Sequence, residues 1–488
     1  MSQPTVTLNE LDGALGTLPV GAKRCAFLGV STSGTVNLPA AFARTKDLVT
    51  NYTRGPLPEG AAYWTQNYSA PAIVVRTGQT VAATKDAIDI TGALGTSVVS
   101  ATGATFADDD VEAYFKVIVG GTVGVTGITY VWSLDGGRTL SPVTALGTAN
   151  TFVFPNSGGL GFSFAAGTML AGSVVRQRAY AAQWNTTEIG TALDALRQSA
   201  YDWDVAVILG TIDAAAFDAI ETAFAAMPEK MWIGNTRMPN AAESEAAYKT
   251  ALDTIFSSKA STRACICAGA ARITSAITYR SVRRPIVSAA GARIASRSEE
   301  QDASVKDDGA LVGVSCYEGA NPVEHDETVN PGLDDSRFTA LRTWAPGTAM
   351  YINNPRLLST AGSDFEFVQH RRVMNLARRT LRQYFESRLS KPVLVNATTG
   401  FILEAEALEI EAGADAIMRS VLRGKPKVSG GGIDGKAARF VKLSRTDNLL
   451  STKTMNVQAA IIPLAYPKSI LVDLGFRNPA LQTIAVAA

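Results

Sequence analysis

The residues closest to a catalytic motif run from Gly430 to Ala437, Gly-Gly-Gly-Ile-Asp-Gly-Lys-Ala. They fit a phosphate-binding loop, G-x-x-x-x-G-K-[ST], at every position but the last. Ala437 has no hydroxyl to hold Mg²⁺, and the run follows Lys425-Pro426-Lys427 rather than an apolar strand, so it reads as a flexible glycine-rich linker. His325 and His370 are the only histidines. His370 falls on the apolar side of a helical pattern with Val373 and Ala377 and reads as a satisfied, partly buried side chain. His325 sits in the polar loop Asn321–Asp335 beside Glu324, Asp326 and Glu327, where a solvated acidic loop is a simpler reading than a cation site. Two histidines so placed build no triad. Cys265 and Cys267 share one face of an apolar strand and lack the C-x-x-C spacing of zinc or redox sites. They read as small hydrophobes, and Cys25 and Cys316 are isolated. Asp108-Asp109-Asp110 lacks the spacing of a Ca²⁺ loop and reads as a turn before a strand. No catalytic, cofactor-binding or metal-ligating residue is assigned, and no cofactor is expected.

The elements that would position such groups belong to a long chain. Its 488 residues exceed the ~250–300 at which single cores stop growing, so several domains are expected. The formal net charge of +1 gives no basic excess for nucleic acid. Hydrophobic residues make up 46%, which suits a globular chain. The start, MSQPTVTLNELDG, has neither the basic nor the apolar region of a signal peptide, and no run reaches the ~20 apolar residues of a membrane helix. A soluble chain made in a reducing cytoplasm is expected, with too few cysteines for a disulfide framework.

From Tyr201 to Ala270 the pattern alternates. Asp204–Leu209 is a continuous apolar run, as in a buried parallel strand. Asp213 can cap a helix Ala214–Met227, Met231–Ile233 is a second strand, Asn240 can cap a helix Ala241–Ser257, and Ala264–Ala268 is a third strand. That order predicts a parallel sheet with crossover helices. From Gln79 to Ala182 the chain is rich in Gly, Thr, Val and Ser. Val111, Ala113, Phe115, Val117 and Val119 alternate onto one face, Ile128–Leu134 follows, and Asp135-Gly136-Gly137 marks a tight turn. Phe152–Phe154 and Leu160–Phe164 continue the pattern, which predicts an all-β sandwich or barrel inserted into the α/β domain. Further on, a helix Asp364–Leu389 is expected, with a capping box of Ser363 and Glu366. Val373, Met374, Ala377, Leu381, Tyr384 and Phe385 would form its apolar face, and Arg371, Arg372, Arg378, Arg379 and Arg382 the opposite one. A strand Lys391–Asn396 and a helix Ala405–Leu422 follow. Strand-like pieces recur at Val457–Leu464 and Ser469–Phe476, and Leu481–Val486 is apolar. Lone terminal strands are unstable in water, and ordering ~20 residues costs on the order of 20–40 kcal/mol of backbone entropy. The ends at 1–22 and 465–488 therefore read as arms that order only against a sheet edge.

Between Thr45 and Thr77 a polar start runs into Gly55-Pro56-Leu57-Pro58, a helix-forming run Glu59–Trp64 that Pro58 can start, and the Pro71-led strand Ala72–Arg76. This word order resembles the contractile tail sheath proteins of bacteriophages. Tyr130–Gly137 looks like the hairpin of that family's inserted β domain. Arg283-Arg284-Pro285 and Asp307–Val314 look like its link into the C-terminal part. Tyr351–Arg356, Ser363-Asp364-Phe365, Arg371–Met374 and Thr399-Gly400 follow in family order. The resemblance implies an α/β (α+β multidomain) fold: a parallel or mixed-sheet core at 23–78 and 183–336, an inserted all-β domain at 79–182, a C-terminal α/β domain at 337–464, and arms at 1–22 and 465–488. It implies a structural, non-enzymatic subunit that stacks as hexameric rings around a tail tube and contracts to drive the tube through the host envelope. The partners implied are further copies of itself, the tail tube protein, and baseplate and tail terminator proteins, with neither nucleic acid binding nor membrane insertion. Its place would be the virion tail, assembled in the host cytoplasm. Arm strands would carry Val6, Leu8, Leu11, Ile470, Val472, Leu474, Phe476, Ile484 and Val486. Arg371, Arg378, Arg382, Arg419, Arg423, Lys425 and Lys427 would face the tube or a neighbour. The competing reading is a cytoplasmic α/β enzyme or nucleotide-binding protein using the strand ends near Gly210 and Gly269.

Overall fold

A computed structural model of the protein describes residues 25–103, 109–240, 243–318, 332–344, 347–423, 426–468 and 470–472. The chain divides into two compact units, Met1–Arg379 and Thr380–Ala488. Among the described residues no helix is long and apolar enough to cross a membrane.

The first unit is built on a six-stranded sheet in the order Ala264–Cys267, Met231–Asn235, Val205–Thr211, Cys25–Gly29, Ala72–Arg76, Ala40–Phe42. The first five strands are parallel, and Ala40–Phe42 closes one edge antiparallel. Their apolar runs are buried on both faces, with Phe27, Ile208 and Trp232 wholly inside, as crossover helices require. The strand–helix–strand order expected over Tyr201–Ala270 is present. Asp213 caps the helix Ala214–Ala225, its Oδ1 accepting the Ala216 amide at 2.7 Å. The next helix starts later than expected, at Glu245–Phe256, with Ser244 as its cap. The Asn240 amide instead donates to Glu243 at 2.8 Å, inside a turn that Arg237 clamps. The helix after Gly55 also starts ahead of its expected position, running Pro56–Tyr68 with Pro56 in its first turn.

Sheet order reverses at the central pair. From Cys25–Gly29 the chain goes to Ala72–Arg76 on one side, and the later Val205–Thr211 lies on the other. The carboxyl ends of Cys25–Gly29 and Val205–Thr211 thus flank a topological switch point, where open α/β sheets form a crevice.

Between Thr84 and Tyr180 the described residues form strands and no helix. One sheet runs Thr144–Ala145, Thr129–Ser133, Val111–Val119, Val174–Tyr180, Thr84–Lys85, and a three-stranded sheet joins Thr151–Val153, Gly161–Phe164 and Val99–Thr102. Their side chains make a separate aromatic core of Phe115, Tyr130, Phe152, Phe154, Phe162 and Phe164. Of the face expected on Val111–Val119, the first four residues are buried. Val119 is exposed, because it lies where the strand ends at Gly120. Asp135 anchors the following turn by accepting the Arg138 and Thr139 amides at 2.9 Å, and Gly136 and Gly137 both take positive φ. The chain enters and leaves this region side by side: Val81 and Gln183 exchange both backbone hydrogen bonds, at 3.0 and 2.9 Å.

The long helix spans Val368–Glu386 and starts later than expected. The capping box does not form. Ser363 Oγ accepts the Phe365 amide, and the Glu366 carboxylate is held by Arg356 at 2.7 Å. In the second unit, Tyr384 donates to the Ile410 carbonyl at 3.0 Å. That carbonyl belongs to the helix Glu404–Leu422, which buries Ala407, Ile410, Ala414 and Met418. The strand expected at Lys391–Asn396 is reduced to one bridge, Val395 to Ile402. Two small hairpin pairs complete the unit, Val428–Gly431 with Ile461–Pro463 and Val441–Leu443 with Val457–Ala459. The glycine run is therefore strand rather than linker at its start. A Cβ on Gly430 or Gly431 would lie 2.4 Å from the Ala437 carbonyl oxygen or 2.3 Å from that of Arg439, so only glycine permits this approach. Buried Glu411 braces the unit, accepting the Leu443 amide at 2.7 Å and Arg445 at 2.6 Å, with Arg439 on its other oxygen. Burial works against its charge, but these bonds hold its carboxyl below the usual range.

Candidate functional site

The residues expected to make surfaces scatter when placed in the fold. Val6, Leu8, Leu11, Leu474, Phe476, Ile484 and Val486 lie outside the described residues, as do Lys425, His325 and Asp108. Ile470 and Val472 are exposed and belong to no strand. Arg378, Arg382 and Arg423 are exposed, Arg382 lying 3.4 Å from Glu386, and Arg419 donates to the Ala438 carbonyl at 2.8 Å. Lys427 is half-buried.

Arg371 and Arg372 correct the picture of a single solvated arginine face, because both are buried. Arg372 donates to the carbonyls of Ile294, Ser298 and Arg297 at 3.0, 3.2 and 2.8 Å. These close the carboxyl end of the helix Val287–Ser296, where unsatisfied carbonyls and the negative end of the dipole favour a cation. Arg371 donates to the Pro228 carbonyl at 2.6 Å, just past the helix Ala214–Ala225, and lies over the Phe365 ring at 5.4 Å. Burial, then the charges of Arg263 and Arg378, lower its guanidinium to about 10. His370 is half-buried, its Nδ1 3.2 Å from the Asp364 carbonyl. Cys25, Cys265 and Cys267 are buried in the parallel sheet.

A second charged cluster joins the strand region to the parallel-sheet core. Arg284 chelates Asp109 with bonds of 2.6 and 2.5 Å and lies 3.3 Å from Glu59, which also accepts Ser275 Oγ at 2.8 Å. Asp110, buried, accepts the Ala181 amide at 3.0 Å. Alongside, Arg272 chelates Glu112 at 2.5 and 3.0 Å, with Arg178 and Arg138 at 3.6 and 3.7 Å. Arg272 and Arg284 sit on the paired strands Ala270–Thr274 and Ser281–Pro285. Burial, then neighbouring Asp109, pushes the Asp110 carboxyl up to about 6, and burial also raises that of Glu59 despite Arg284. At Glu112 burial is overcome, and Arg272, Arg178 and Arg138 hold the carboxyl down. Sequence reading took the aspartates as a turn and missed the clasp. The only trace of it was the Arg283-Arg284 pair inside an otherwise apolar strand.

Above this cluster a cavity of about 240 Å³ opens at the switch point. It is lined by Leu209, Gly210, Thr211 and the first turn of the helix Pro56–Tyr68. Its walls include Tyr63, Ile273, Ser275 and Ser288, and Val81 and Ala82 stand at the rim. Gly210 holds φ at 137°, with Trp184 packed where a Cβ would sit. Of the two strand ends weighed for a ligand, Gly210 borders this cavity. Gly269 does not, since its amide donates to the buried Tyr248 hydroxyl at 2.9 Å. Among the described residues no three His, Cys, Asp or Glu side chains are grouped to hold a metal.

No curated protein matches the chain in sequence. Solved structures match its fold along nearly the whole length. A chain of the contracted helical sheath of the anti-feeding prophage is 10% identical, with 97% of this chain and 99% of that one covered at a TM-score of 0.51. A chain of the anti-feeding prophage baseplate is 9% identical, covering 98% and 99% at 0.51. The sheath tail protein of Listeria innocua is 12% identical, covering 91% and 93% at 0.49. The fold is that of the chain in the contracted anti-feeding prophage sheath. Residues 3–356 match the family described as DUF2586, N-terminal domain, and the chain belongs to that family.

Proposed function

We propose that the protein is a structural, non-enzymatic subunit of a contractile tail sheath, in a phage or a related injection device. One observation carries the reading: the end-to-end correspondence with a chain of a contracted helical sheath, in which 97% of this protein is covered. The subunits stack as hexameric rings around a tail tube, and contraction of the assembled lattice drives the tube through the host envelope. The core comprises 23–78 and 183–336, residues 79–182 form an inserted β domain, and 337–464 form the C-terminal α/β domain. The arms at 1–22 and 465–488 add strands to neighbouring copies, since such segments gain order only on a sheet edge. Ile470 and Val472, exposed and outside any strand, suit that role. The exposed Arg378, Arg382, Arg419 and Arg423 suit a contact with the tube or a neighbour, because screened surface pairs of ~0–1 kcal/mol each hold weakly and let go. Buried Arg371 is the exception. The remaining partners are the baseplate and tail terminator proteins, and the product is a virion tail assembled in the host cytoplasm.

Negative-stain electron microscopy of the protein co-expressed with its tail tube protein tests this. Striated tubes with six-fold rings are the expected result. Particles that stay monomeric or dimeric with the tube present would overturn the reading. Removal of 1–22 or 465–488 is expected to leave a folded monomer that no longer polymerises.

A further inference from the structure

The switch-point cavity has the features of a ligand site. Its volume of about 240 Å³ exceeds the ~150 Å³ of an engineered apolar cavity that takes up benzene. Leu209, Ile273, Ala276 and Val287 give it an apolar lining. It lies at the carboxyl end of Val205–Thr211, one of the two strands that flank the switch point where α/β sheets place ligands. Gly210 is held to glycine at the cavity's edge, since a Cβ there would collide with Trp184 and Gln183 and meet an unfavourable φ.

The electrostatics choose the ligand's charge. Glu59 and Asp110 line the cavity, and with Asp109 they meet two guanidiniums, Arg284, which Asp109 chelates, and buried Arg283, which acts on Asp110, so one carboxylate is in excess. The other arginine in the lining, Arg237, is already chelated by Glu243 at 2.8 and 2.5 Å. Burial, and then Asp109, lifts the carboxyls of Glu59 and Asp110 above their ordinary range even with Arg284 beside them.

We propose that this cavity binds a small organic cation, with a flat or branched apolar body of roughly one ring and a single amidinium, guanidinium or ammonium group directed at Glu59 and Asp110. The site is independent of the sheath reading, because it needs only the isolated subunit.

The test uses benzamidine, with benzamide as its neutral isostere and benzoate as its anionic one, titrated into the full chain by calorimetry and by NMR. Benzamidine is expected to bind in the millimolar range or tighter, with nuclear Overhauser contacts to the methyl groups of Leu209 and Ile273. Benzamide should bind about tenfold more weakly, the worth of one charge-assisted hydrogen bond, and benzoate not at all. Glu59→Gln and Asp110→Asn keep the shapes and acceptor oxygens and should each weaken benzamidine about tenfold while leaving benzamide unchanged. Ala82→Trp, on the exposed rim, should abolish binding of both while circular dichroism stays that of the parent. Three outcomes would overturn the proposal: no benzamidine binding, equal binding of all three probes, or undiminished binding by folded Ala82→Trp protein.

Discussion

Two sets of arginines, all buried but the half-buried Arg272, do opposite things in this molecule. At the clasp between the strand region and the parallel-sheet core, Arg284 and Arg272 meet carboxylates, Asp109 and Glu112, in two-pronged pairs. At the start of the helix Val368–Glu386, Arg372 and Arg371 meet main-chain carbonyls at the ends of other helices. The first arrangement neutralises charge with charge. Its strength therefore depends on which side chains are ionised. The second satisfies carbonyls that every helix end leaves over, and the partner cannot be mutated away. The protonation of the two sets responds accordingly. Burial opposes the charge on Arg284, but Asp109 and Glu59 overcome it and raise the guanidinium's affinity for its proton. Burial lowers it at Arg371 and Arg372.

Substitutions can break the comparison apart. The largest effect is expected from Arg284→Met, which takes the chelating guanidinium from Asp109 and Glu59 and should cost about 3–5 kcal/mol in urea denaturation followed by tryptophan fluorescence. Adding Asp109→Asn to that variant should recover part of the loss, a coupling that a merely steric role for Arg284 would not produce. Arg372→Met should cost less, about 2–3 kcal/mol for carbonyls left dry, and the loss should be the same at pH 5 and pH 8.

Asp110→Asn should do the reverse and stabilise. The Asp110 carboxyl rises on folding from 3.8 to about 6, so the folded state holds its proton more tightly than the unfolded chain. Its contribution therefore falls as pH climbs from about 4 to about 6 and stays low above that range. Asparagine should gain on the order of 2 kcal/mol at pH 7.5 and nothing at pH 3. A gain that is equal at both pH values would place the strain elsewhere. Smallest of all, Arg378→Ala and Arg382→Ala at exposed positions should change subunit stability by less than about 0.5 kcal/mol. Their effect, read as the salt concentration at which sheaths dissociate from tubes, should appear only in the assembled state.

The parallel sheet was legible because its strands are unbroken apolar runs, and Asp213 announced a helix that it does cap. Local signals failed where a distant group outbid them. Ser363 and Glu366 have capping-box spacing, but Arg356 takes the Glu366 carboxylate. Gly430 and Gly431 have linker composition, but the Ala437 and Arg439 carbonyls press against them in the fold. Arg371 and Arg372 looked outward because arginines usually are, and nothing in the chain marks the helix ends that draw them in. The clasp was the least legible feature, since Asp109 and Arg284 stand 175 residues apart. The order of short motifs reached the fold class, where single motifs could not.

The antiparallel crossing at Val81 and Gln183 has a consequence for exchange of parts. Thr84 and Tyr180 pair directly beside it, so everything from one to the other is a detour whose two ends already touch. A replacement for that detour asks for no new loop closure at the seam, but it must supply carboxylates for Arg284 and Arg272, which Asp109 and Glu112 of the detour otherwise pair. The crossing is in effect a socket, and foreign strands or displayed peptides plugged in there would start and end at the same Val81–Gln183 seam.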